Sequence, residues 1–394
     1  MVGSVALSVV VATFGALAGC QVDRVPFNRL DTGKEFLEAD ESFQAAEYFE
    51  ESLELEPETS ASAHAHLAIA YDRSMKKVQG IPSEYQKHSA ARAQHLATVS
   101  KDPTAIPYLV HALEYHNLSS QSAEELLVEL GGTAVPALLY GYQRKSEERD
   151  TIRRLLRTIG SPAVSGIRKS VGSPDLVVQN RAQLVRLLGE MDNPEARTFL
   201  AELQADPAMD EAIRVEAAAA LYLLGDKQHR DFLVASLSTQ DVLARRAAAY
   251  CMSFLNDEPN PEMLLSHLDD PDSEVCMHIA AALGEHRSDP NAVDALVELL
   301  RTTDENLVGN AAVAALGKYG EDVIDPILEA LKFDAKSEHW TRRQRLVRAL
   351  ADENVLGGFD EDREFKLYEH WQDREQRDEV KGDIARLLES LESK

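Results

Sequence analysis

A helix-ending step, Leu or Ile followed by Gly, recurs along most of this 394-residue chain and constrains its fold more than any other feature. The steps are Leu130-Gly131, Ile159-Gly160, Leu188-Gly189, Leu224-Gly225, Leu283-Gly284 and Leu316-Gly317, with Leu255-Asn256 filling the slot between the fourth and the fifth. A period of about 30 residues indicates a repeat array, in which each unit buries its apolar face against its neighbours. We therefore predict an all-α, right-handed helical-repeat solenoid.

The residues between two steps follow one order: a second apolar helix, a polar turn and an alanine-rich helix. Val135-Pro136-Ala137-Leu138 begins one second helix, and residues 217–220 are four consecutive alanines of an inner helix. Asp or Ser in the turn can cap the next helix, and Pro fits its first turn. Gly and Asn tolerate the left-handed conformation that ends many helices. We therefore expect the Gly or Asn of each step to lie just beyond a helix.

This pattern resembles HEAT repeats, in particular the short repeats of phycobilin-lyase-like proteins. The resemblance covers about residues 101–333, with a further helix predicted at 341–351. That family often has Asp-x-x-Val-Arg at the start of the inner helix; Arg214 and Arg245 approximate it, whereas Met277 and Gly309 do not. The alternative is a non-repetitive helical bundle. We assign residues 104–351 to a HEAT-like solenoid and 352–394 to a charged helical C-terminal cap, which an open array needs for solubility.

The segment before this array resembles tetratricopeptide repeats. Gly33-x2-Phe36, Ala45-x3-Phe49 and Pro57 fit one repeat, in which small residues let two helices touch, an aromatic ring fills the gap and Pro ends the second helix. The alternative is a plain helical hairpin. We assign residues 31–103 to TPR-like helical repeats. A second, less complete repeat would comprise Leu67-Ala68-x2-Tyr71, an insertion containing Gly80, Ile81 and Pro82, and then Ala91, His95 and Pro103.

The first twenty residues contain no charged side chain and end in Leu17-Ala18-Gly19-Cys20. The apolar run is short for a membrane-spanning helix and suits the apolar region of a secretory signal. Its ending resembles a bacterial lipobox, which implies that Cys20 is lipidated and becomes the first mature residue. The alternatives are an ordinary signal peptide and an uncleaved apolar N-terminus. The residues Met1-Val2-Gly3-Ser4 depart from the signal pattern because they lack its usual positive charge.

The lipobox resemblance sets the expected location of the protein. It implies a lipid-anchored protein of the bacterial cell envelope, held in the membrane through Cys20, with residues 21–30 as a linker. Two or more acyl chains anchor a protein firmly, whereas one does so only marginally. Gln21 stands where an Asp would alter sorting, which favours the outer membrane facing the periplasm over the inner membrane.

Charge excludes one class of partner and suggests a binding surface. The chain has 41 Lys and Arg against 67 Asp and Glu, a net charge of −26, which argues against general nucleic-acid binding. Two basic groups run against this acidity, in residues 144–169 and 342–348. Either they are solvated helix faces, or they steer an acidic partner or anionic headgroup. The candidate partner-binding patch is Arg149, Arg153, Arg154, Arg157, Arg342 and Arg343.

The common catalytic patterns are missing from the sequence. It has no G-x4-G-K-[ST], no G-x-S-x-G and no H-E-x-x-H, nor any His-Glu dipeptide of the kind that HEAT-type iron hydroxylases use as ligands. His64 and His66 are two residues apart and point to different helix faces, a poor metal pair. Cys251 and Cys276 fit buried free thiols, although an exported protein could join them in a disulfide.

Asp270-x-Asp272-x-Glu274 is an acidic motif that resembles the start of a calcium loop. Val275, however, occupies the position where such a loop needs Gly. The sequence therefore favours a capped turn. We predict no metal, no cofactor, no small-molecule substrate and no enzymatic activity.

The features combine into one functional hypothesis with two alternatives. The chain is predicted to be a non-enzymatic, lipid-anchored interaction scaffold of the bacterial cell envelope that binds a protein partner on its solenoid surface. The alternatives are an enzyme or accessory of the lyase-like HEAT class, and a purely structural envelope spacer. The sequence leaves the identity of the partner open.

Overall fold

The structure is a computed structural model that describes residues 28–115, 117–144, 147–255, 261–285, 291–334 and 338–392. Every regular element in those ranges is helical, which confirms the predicted all-α fold. Cys20 and the rest of the predicted signal lie outside the described residues. The α-helices in these ranges are α1 (Arg29–Glu38), α2 (Ser42–Leu55), α3 (Ser60–Lys77), α4 (Pro82–Lys101), α5 (Ile106–His111), α6 (Leu118–Leu130), α7 (Val135–Arg144), α8 (Arg149–Ile159), α9 (Ser161–Val171), α10 (Val178–Glu190), α11 (Pro194–Ala205), α12 (Glu211–Leu223), α13 (Arg230–Ser236), α14 (Val242–Met252), α15 (Pro261–Leu265), α16 (Ser273–Glu285), α17 (Asn291–Thr302), α18 (Asn306–Gly317), α19 (Ile324–Asp334), α20 (Trp340–Leu350), α21 (Glu353–Leu356), α22 (Glu361–Glu369) and α23 (Asp378–Glu392).

The chain divides into two compact units, residues 1–141 and 142–394. The sequence places its boundary earlier, between residues 103 and 104. Helices α5, α6 and most of α7 belong to the first compact unit.

The first unit is a series of packed helices in which α1 contacts α2, α2 contacts α3 and α3 contacts α4. Asn28 caps α1 by accepting a hydrogen bond from the Asp31 amide, so the predicted linker 21–30 ends in the first turn of a helix. A Cβ added at Gly33 would lie 2.5 Å from the Phe49 ring, so the small residue makes room for the aromatic side chain. The predicted insertion near Gly80 is taken up by two long helices, and only residues 78–81 separate α3 from α4.

His66 is a buried ionisable group in the core of this unit. Its side chain stacks on Phe49 with ring centroids 5.2 Å apart, and its Nδ1 lies 2.7 Å from the carbonyl oxygen of Ser62. Burial lowers the pKa of His66 from 6.5 to about 4, and this effect outweighs the hydrogen bond with Ser62. The ring is therefore neutral at physiological pH.

Mild acid should weaken the first unit because of His66 and also because of His95, whose pKa burial likewise lowers to about 4. The folded-state pKa of His66 lies below its unfolded value, so its stabilising effect is complete above pH 6.5 and declines as the pH falls towards 4. We expect a loss of about 1 kcal/mol at pH 5.5. Amide hydrogen exchange of α3, corrected for the intrinsic rate at each pH, measures it. A His66→Gln variant should lose part of this pH dependence; an unchanged dependence in the variant would contradict the assignment to His66.

The second unit repeats one arrangement of inner and outer helices. The inner helices α10, α12, α14, α16, α18 and α20 each pack on the next, and the outer helices α11, α13, α15, α17 and α19 each pack on the inner helix that follows. The charged tail is helical, and Val380, Ile384 and Leu387 of α23 join the same apolar core, where α23 packs on α20. Burial between neighbouring helices is what stabilises such an array.

The Gly of the Leu/Ile–Gly step has two different roles. Gly131, Gly160 and Gly225 have positive φ, as predicted for residues that end a helix. The helices α10 and α16 also end at the step, but Gly189 and Gly284 are each the last helical residue but one and do not adopt a positive φ. Asn256 falls outside the described residues.

The glycines inside helices are contact points between inner helices. A Cβ added at Gly189 would lie 2.6 Å from the Cβ of Ala220, and one added at Gly284 would lie 2.7 Å from the Cα of Ala315. The recurring Gly therefore lets the next inner helix approach closely. The neighbouring alanines serve the same close packing.

Arginines near the start of the inner helices bind backbone carbonyls of the segment that precedes each helix. Arg214 donates from Nε to the carbonyl oxygen of Gln204 at 3.3 Å, and Arg245 donates from Nη1 to the carbonyl oxygen of Thr239 at 3.0 Å. These are the two arginines that match the HEAT pattern. The carbonyls at a helix end lack partners within the helix, so a side-chain donor satisfies them.

Gly309, which departs from that pattern, is compensated by the next repeat. Arg345 of α20 donates to the carbonyl of Thr303 at 2.9 Å and to the side chain of Asn306 at 2.8 Å. A Cβ added at Gly309 would lie 2.6 Å from Nε of Arg345. The missing side chain at Gly309 thus makes space for an arginine that binds the same kind of carbonyl from the neighbouring helix.

Candidate functional site

The four predicted arginines on α8 differ in their exposure. Arg149 is half-buried, and its Nε donates to the carbonyl of Tyr142 at 3.2 Å. Arg153 forms ion pairs with Asp150 at 3.2 Å and Glu190 at 3.5 Å. Arg154 and Arg157 are exposed. The outward basic character of α8 therefore rests mainly on its last two arginines.

Arg342 and Arg343 are neighbours in sequence but have different environments. Arg342 donates from Nε and Nη2 to the carboxylate of Asp304 at 2.9 and 2.8 Å, at the surface. Arg343 is only 3% exposed and donates from Nε and Nη2 to the buried carboxylate of Glu375 at 2.8 and 2.9 Å. The predicted place of Arg343 in a surface patch is therefore wrong, because its side chain is buried and pairs with Glu375.

A second surface runs across consecutive inner helices and was not anticipated from the sequence. The guanidinium of Arg186 on α10 lies 4.7 Å from the ring centroid of Tyr250 on α14. The Tyr250 ring meets that of His278 on α16 edge to face at 5.3 Å, and that of Phe254 at 5.3 Å. Phe254 is 46% exposed. We define these residues, together with Arg246, as the inner-helix surface.

Carboxylates from the neighbouring helices hold its two arginines in place. Arg186 donates from Nε and Nη2 to the two carboxylate oxygens of Glu216, at 2.7 and 3.0 Å. Arg246 of α14 donates from the same two nitrogens to Asp272, at 2.9 and 2.6 Å, and pairs with Glu274. Bidentate pairs fix the plane of a guanidinium as well as its position. The cationic groups are therefore preorganised before any partner binds.

Burial and the same two arginines keep His278 neutral. Burial, and then the charges of Arg186 and Arg246, lower the pKa of His278 to about 4. A neutral imidazole can donate one hydrogen bond and accept another. The inner-helix surface thus combines two fixed cations, two aromatic faces and one neutral hydrogen-bonding ring, a composition common in protein interfaces.

The sequence contained a signal for this surface in the repeat spacing. Arg186 and Glu216 are separated by about one period of the array, and so are Tyr250 and His278. Residues separated by one period occupy equivalent positions on neighbouring inner helices. Comparing polar residues at that spacing would have predicted their contact.

The acidic turn before α16 is used within the fold. Asp272 accepts hydrogen bonds from the amides of Glu274 and Val275, both at 3.2 Å, and so caps α16. Asp270 pairs with Arg245 at 2.8 Å. Across the part of the chain that the structure describes, no group of three or more His, Cys, Asp or Glu side chains is arranged to hold a metal ion.

The two cysteines of the second unit are free thiols, as predicted. Both Cys251 and Cys276 are buried, and the Sγ of Cys276 donates to the carbonyl of Asp270 at 3.0 Å. Burial raises the pKa of Cys251 to about 12 and that of Cys276 to about 11, so both remain protonated.

None of the described helices is long and apolar enough to cross a membrane.

Comparison with known proteins identifies the repeat type. The HEAT-repeat family model matches residues 166–253, 204–276 and 261–351, which confirms the predicted HEAT repeats in that part of the chain. No curated protein sequence matches the chain.

Solved structures show similarity at low sequence identity. Human deoxyhypusine hydroxylase is 18% identical with a TM-score of 0.28, and the match covers 68% of this chain and all of that one. The CpcE and CpcF complex of phycocyanin lyase from a Nostoc species is 18% identical with a TM-score of 0.32, over 65% of this chain and 94% of that one. A structure of Kap95p with RanGDP is 13% identical with a TM-score of 0.44, over 83% of this chain and 50% of that one.

Proposed function

We propose that this HEAT-repeat chain is a non-enzymatic, lipid-anchored scaffold of the bacterial cell envelope that binds a protein partner on its inner helices. The observation that carries the binding role is the inner-helix surface, where Arg186, Tyr250, Phe254 and His278 form one contact series across α10, α14 and α16. The lipid anchor is supported by the lipobox resemblance that ends at Cys20.

The physical argument concerns what the fold itself requires. Packing between inner helices is already supplied by Ala, Leu, Val and Ile side chains of the core. A half-exposed aromatic series next to immobilised arginines adds little to that core. Aromatic and Arg side chains are, however, the groups that contribute most of the binding energy in protein interfaces. The arrangement therefore favours recognition of a partner over a role as a passive spacer.

Site-specific crosslinking in cells tests the binding role. We expect a photoreactive phenylalanine analogue in place of Phe254 to give a crosslinked adduct of defined mass, since this ring is exposed and contacts Tyr250 of the series. The same analogue in place of Val177, which is 63% exposed and precedes α10, is the matched control. Equal labelling at the two positions, or no adduct at Phe254, would contradict binding at this surface.

The anchor is tested separately by metabolic labelling with palmitate. We expect wild-type protein to carry the label and to sediment with membranes, and Cys20→Ala to lose both properties. A variant that keeps its membrane fractionation would sink the lipoprotein proposal and leave the binding surface unaffected. Purified protein that carries a chromophore or turns over a substrate would instead favour the lyase-like alternative.

A further inference from the structure

An apolar groove with an acidic rim lies between α22 and α23, on helices other than those of the inner-helix surface. Its volume is about 500 Å³. Its floor and walls include Phe365, Tyr368 and Trp371 from one side and Leu388 from the other. Tyr368 and Trp371 have ring centroids 5.5 Å apart at 45°. We name this feature the tail groove.

The aromatic lining of the tail groove exposes more apolar surface than the local fold needs. Phe365 is 65% exposed and Tyr368 is 44% exposed, whereas Val380 and Ile384 of α23 are fully buried and already anchor the tail to the core. Phe365, Tyr368 and Trp371 follow one another at three-residue intervals, so they share one helix face. A contiguous exposed apolar face of this kind marks an interaction site.

The rim determines the charge of the occupant. Glu361, Glu364, Glu389 and Glu392 all line the groove. Several other acidic residues of α22 and α23 do form ion pairs. Asp362 pairs with Lys366, and Asp383 pairs with Arg386. No such pair joins the four rim glutamates to a cation in the described part of the chain. Four uncompensated carboxylates around an apolar floor are complementary to a cationic, partly apolar ligand.

The dimensions indicate the form of the ligand. Glu361 and Trp371 are ten positions apart in the sequence, which corresponds to about 15 Å at 1.5 Å per residue. That length accommodates two to three turns of a helix with apolar anchors at positions i, i+3 or i+4, and i+7. Anionic headgroups and nucleic acid would be repelled by the rim. We propose that the tail groove binds a cationic amphipathic segment of a protein partner, with apolar side chains on the aromatic floor and Lys or Arg opposite the glutamates.

Binding of designed peptides to the full chain tests this proposal. The probes are a 14-residue helix of Lys and Leu and its counterpart in which every Lys is Glu. In a Trp340→Phe background Trp371 is the only indole, because the chain has two tryptophans, and it reports directly from the groove. We expect the Lys peptide to shift the Trp371 emission with an affinity that falls as salt is raised, and the Glu peptide to give no shift.

Variants at the floor and at the rim locate the binding. Phe365→Ser with Tyr368→Ser should weaken the Lys peptide at least about tenfold, which corresponds to about 1.4 kcal/mol. Leu307→Ser, a similarly exposed apolar residue on α18, should leave the affinity unchanged. Glu364→Gln with Glu389→Gln alters only charge and should reduce both the affinity and its salt dependence. Equal affinities for all variants, equal binding of the Glu peptide, or preferential binding of lipid vesicles would each overturn the proposal.

Discussion

Replacing Arg343 with Met should lower the free energy of unfolding of the second unit by about 3–5 kcal/mol. The change leaves the carboxylate of Glu375 without its main partner in a site where its side chain is fully buried. Burial raises the pKa of Glu375. His370, whose Nε2 lies 3.7 Å from the carboxylate, the hydrogen bonds from Arg343 and from the Arg377 amide, and the charge of Arg343 together outweigh burial and lower this pKa to about 2. A buried ion that loses its partner keeps the cost of leaving water and forfeits the compensating attraction.

Urea unfolding followed by tryptophan fluorescence measures this loss. Trp340 lies in the same helix as Arg343, and Trp371 lies in the π-helical turn His370–Arg374 that precedes Glu375. Arg342→Met is the matched control, because its partner Asp304 is 67% exposed. An ion pair at the surface should contribute far less to stability than the buried pair does. If the two variants unfold at the same urea concentration, the buried pair does not stabilise the tail as argued.

The low pKa of Glu375 also predicts a pH signature. Because its folded-state value lies below the unfolded value of 4.5, its contribution is present above pH 4.5 and is lost as the pH falls towards 2. Wild type and Arg343→Met should therefore differ most near neutral pH and converge in strong acid.

Replacing Gly284 with Ala should destabilise the second unit by about 1–3 kcal/mol, the usual cost of forcing a methyl group into a packed contact. The added Cβ would lie 2.7 Å from the Cα of Ala315, which is backbone and cannot rotate away. The inner helices α16 and α18 would have to separate along their contact. The same change would normally favour a helix, because Ala has the higher helix propensity.

Gly382→Ala is the control that separates packing from propensity. Gly382 also lies inside a helix, α23, but a Cβ added there meets no atom within 4 Å. This variant should gain about 0.5–1 kcal/mol from the propensity term alone. Opposite shifts in the urea midpoint are the expected result, and a gain in both variants would show that Gly284 is not a contact point.

Two pairs of residues show where prediction from the sequence ends. Arg342 and Arg343 are adjacent and chemically identical, so a charge count groups them in one basic patch. Gly225 and Gly284 both follow Leu at a repeat boundary, so the pattern assigns both to helix ends. In each case the two residues have the same local sequence signal, and the difference arises from the residue that the fold brings opposite.

The repeat period was sufficient to predict the all-α class and the order of the helices, because each repeat is too small to bury its apolar face without its neighbours. The capping at Asp272 and the free thiols could also be predicted, since they depend on local spacing and cysteine number. Tertiary packing was needed to show which glycines are contacts, which arginine is buried, and that Arg186, Tyr250 and His278 meet. Those outcomes depend on close packing between segments that lie one or more repeats apart. The residues next to a given residue in the chain therefore do not determine which side chain it contacts in the fold.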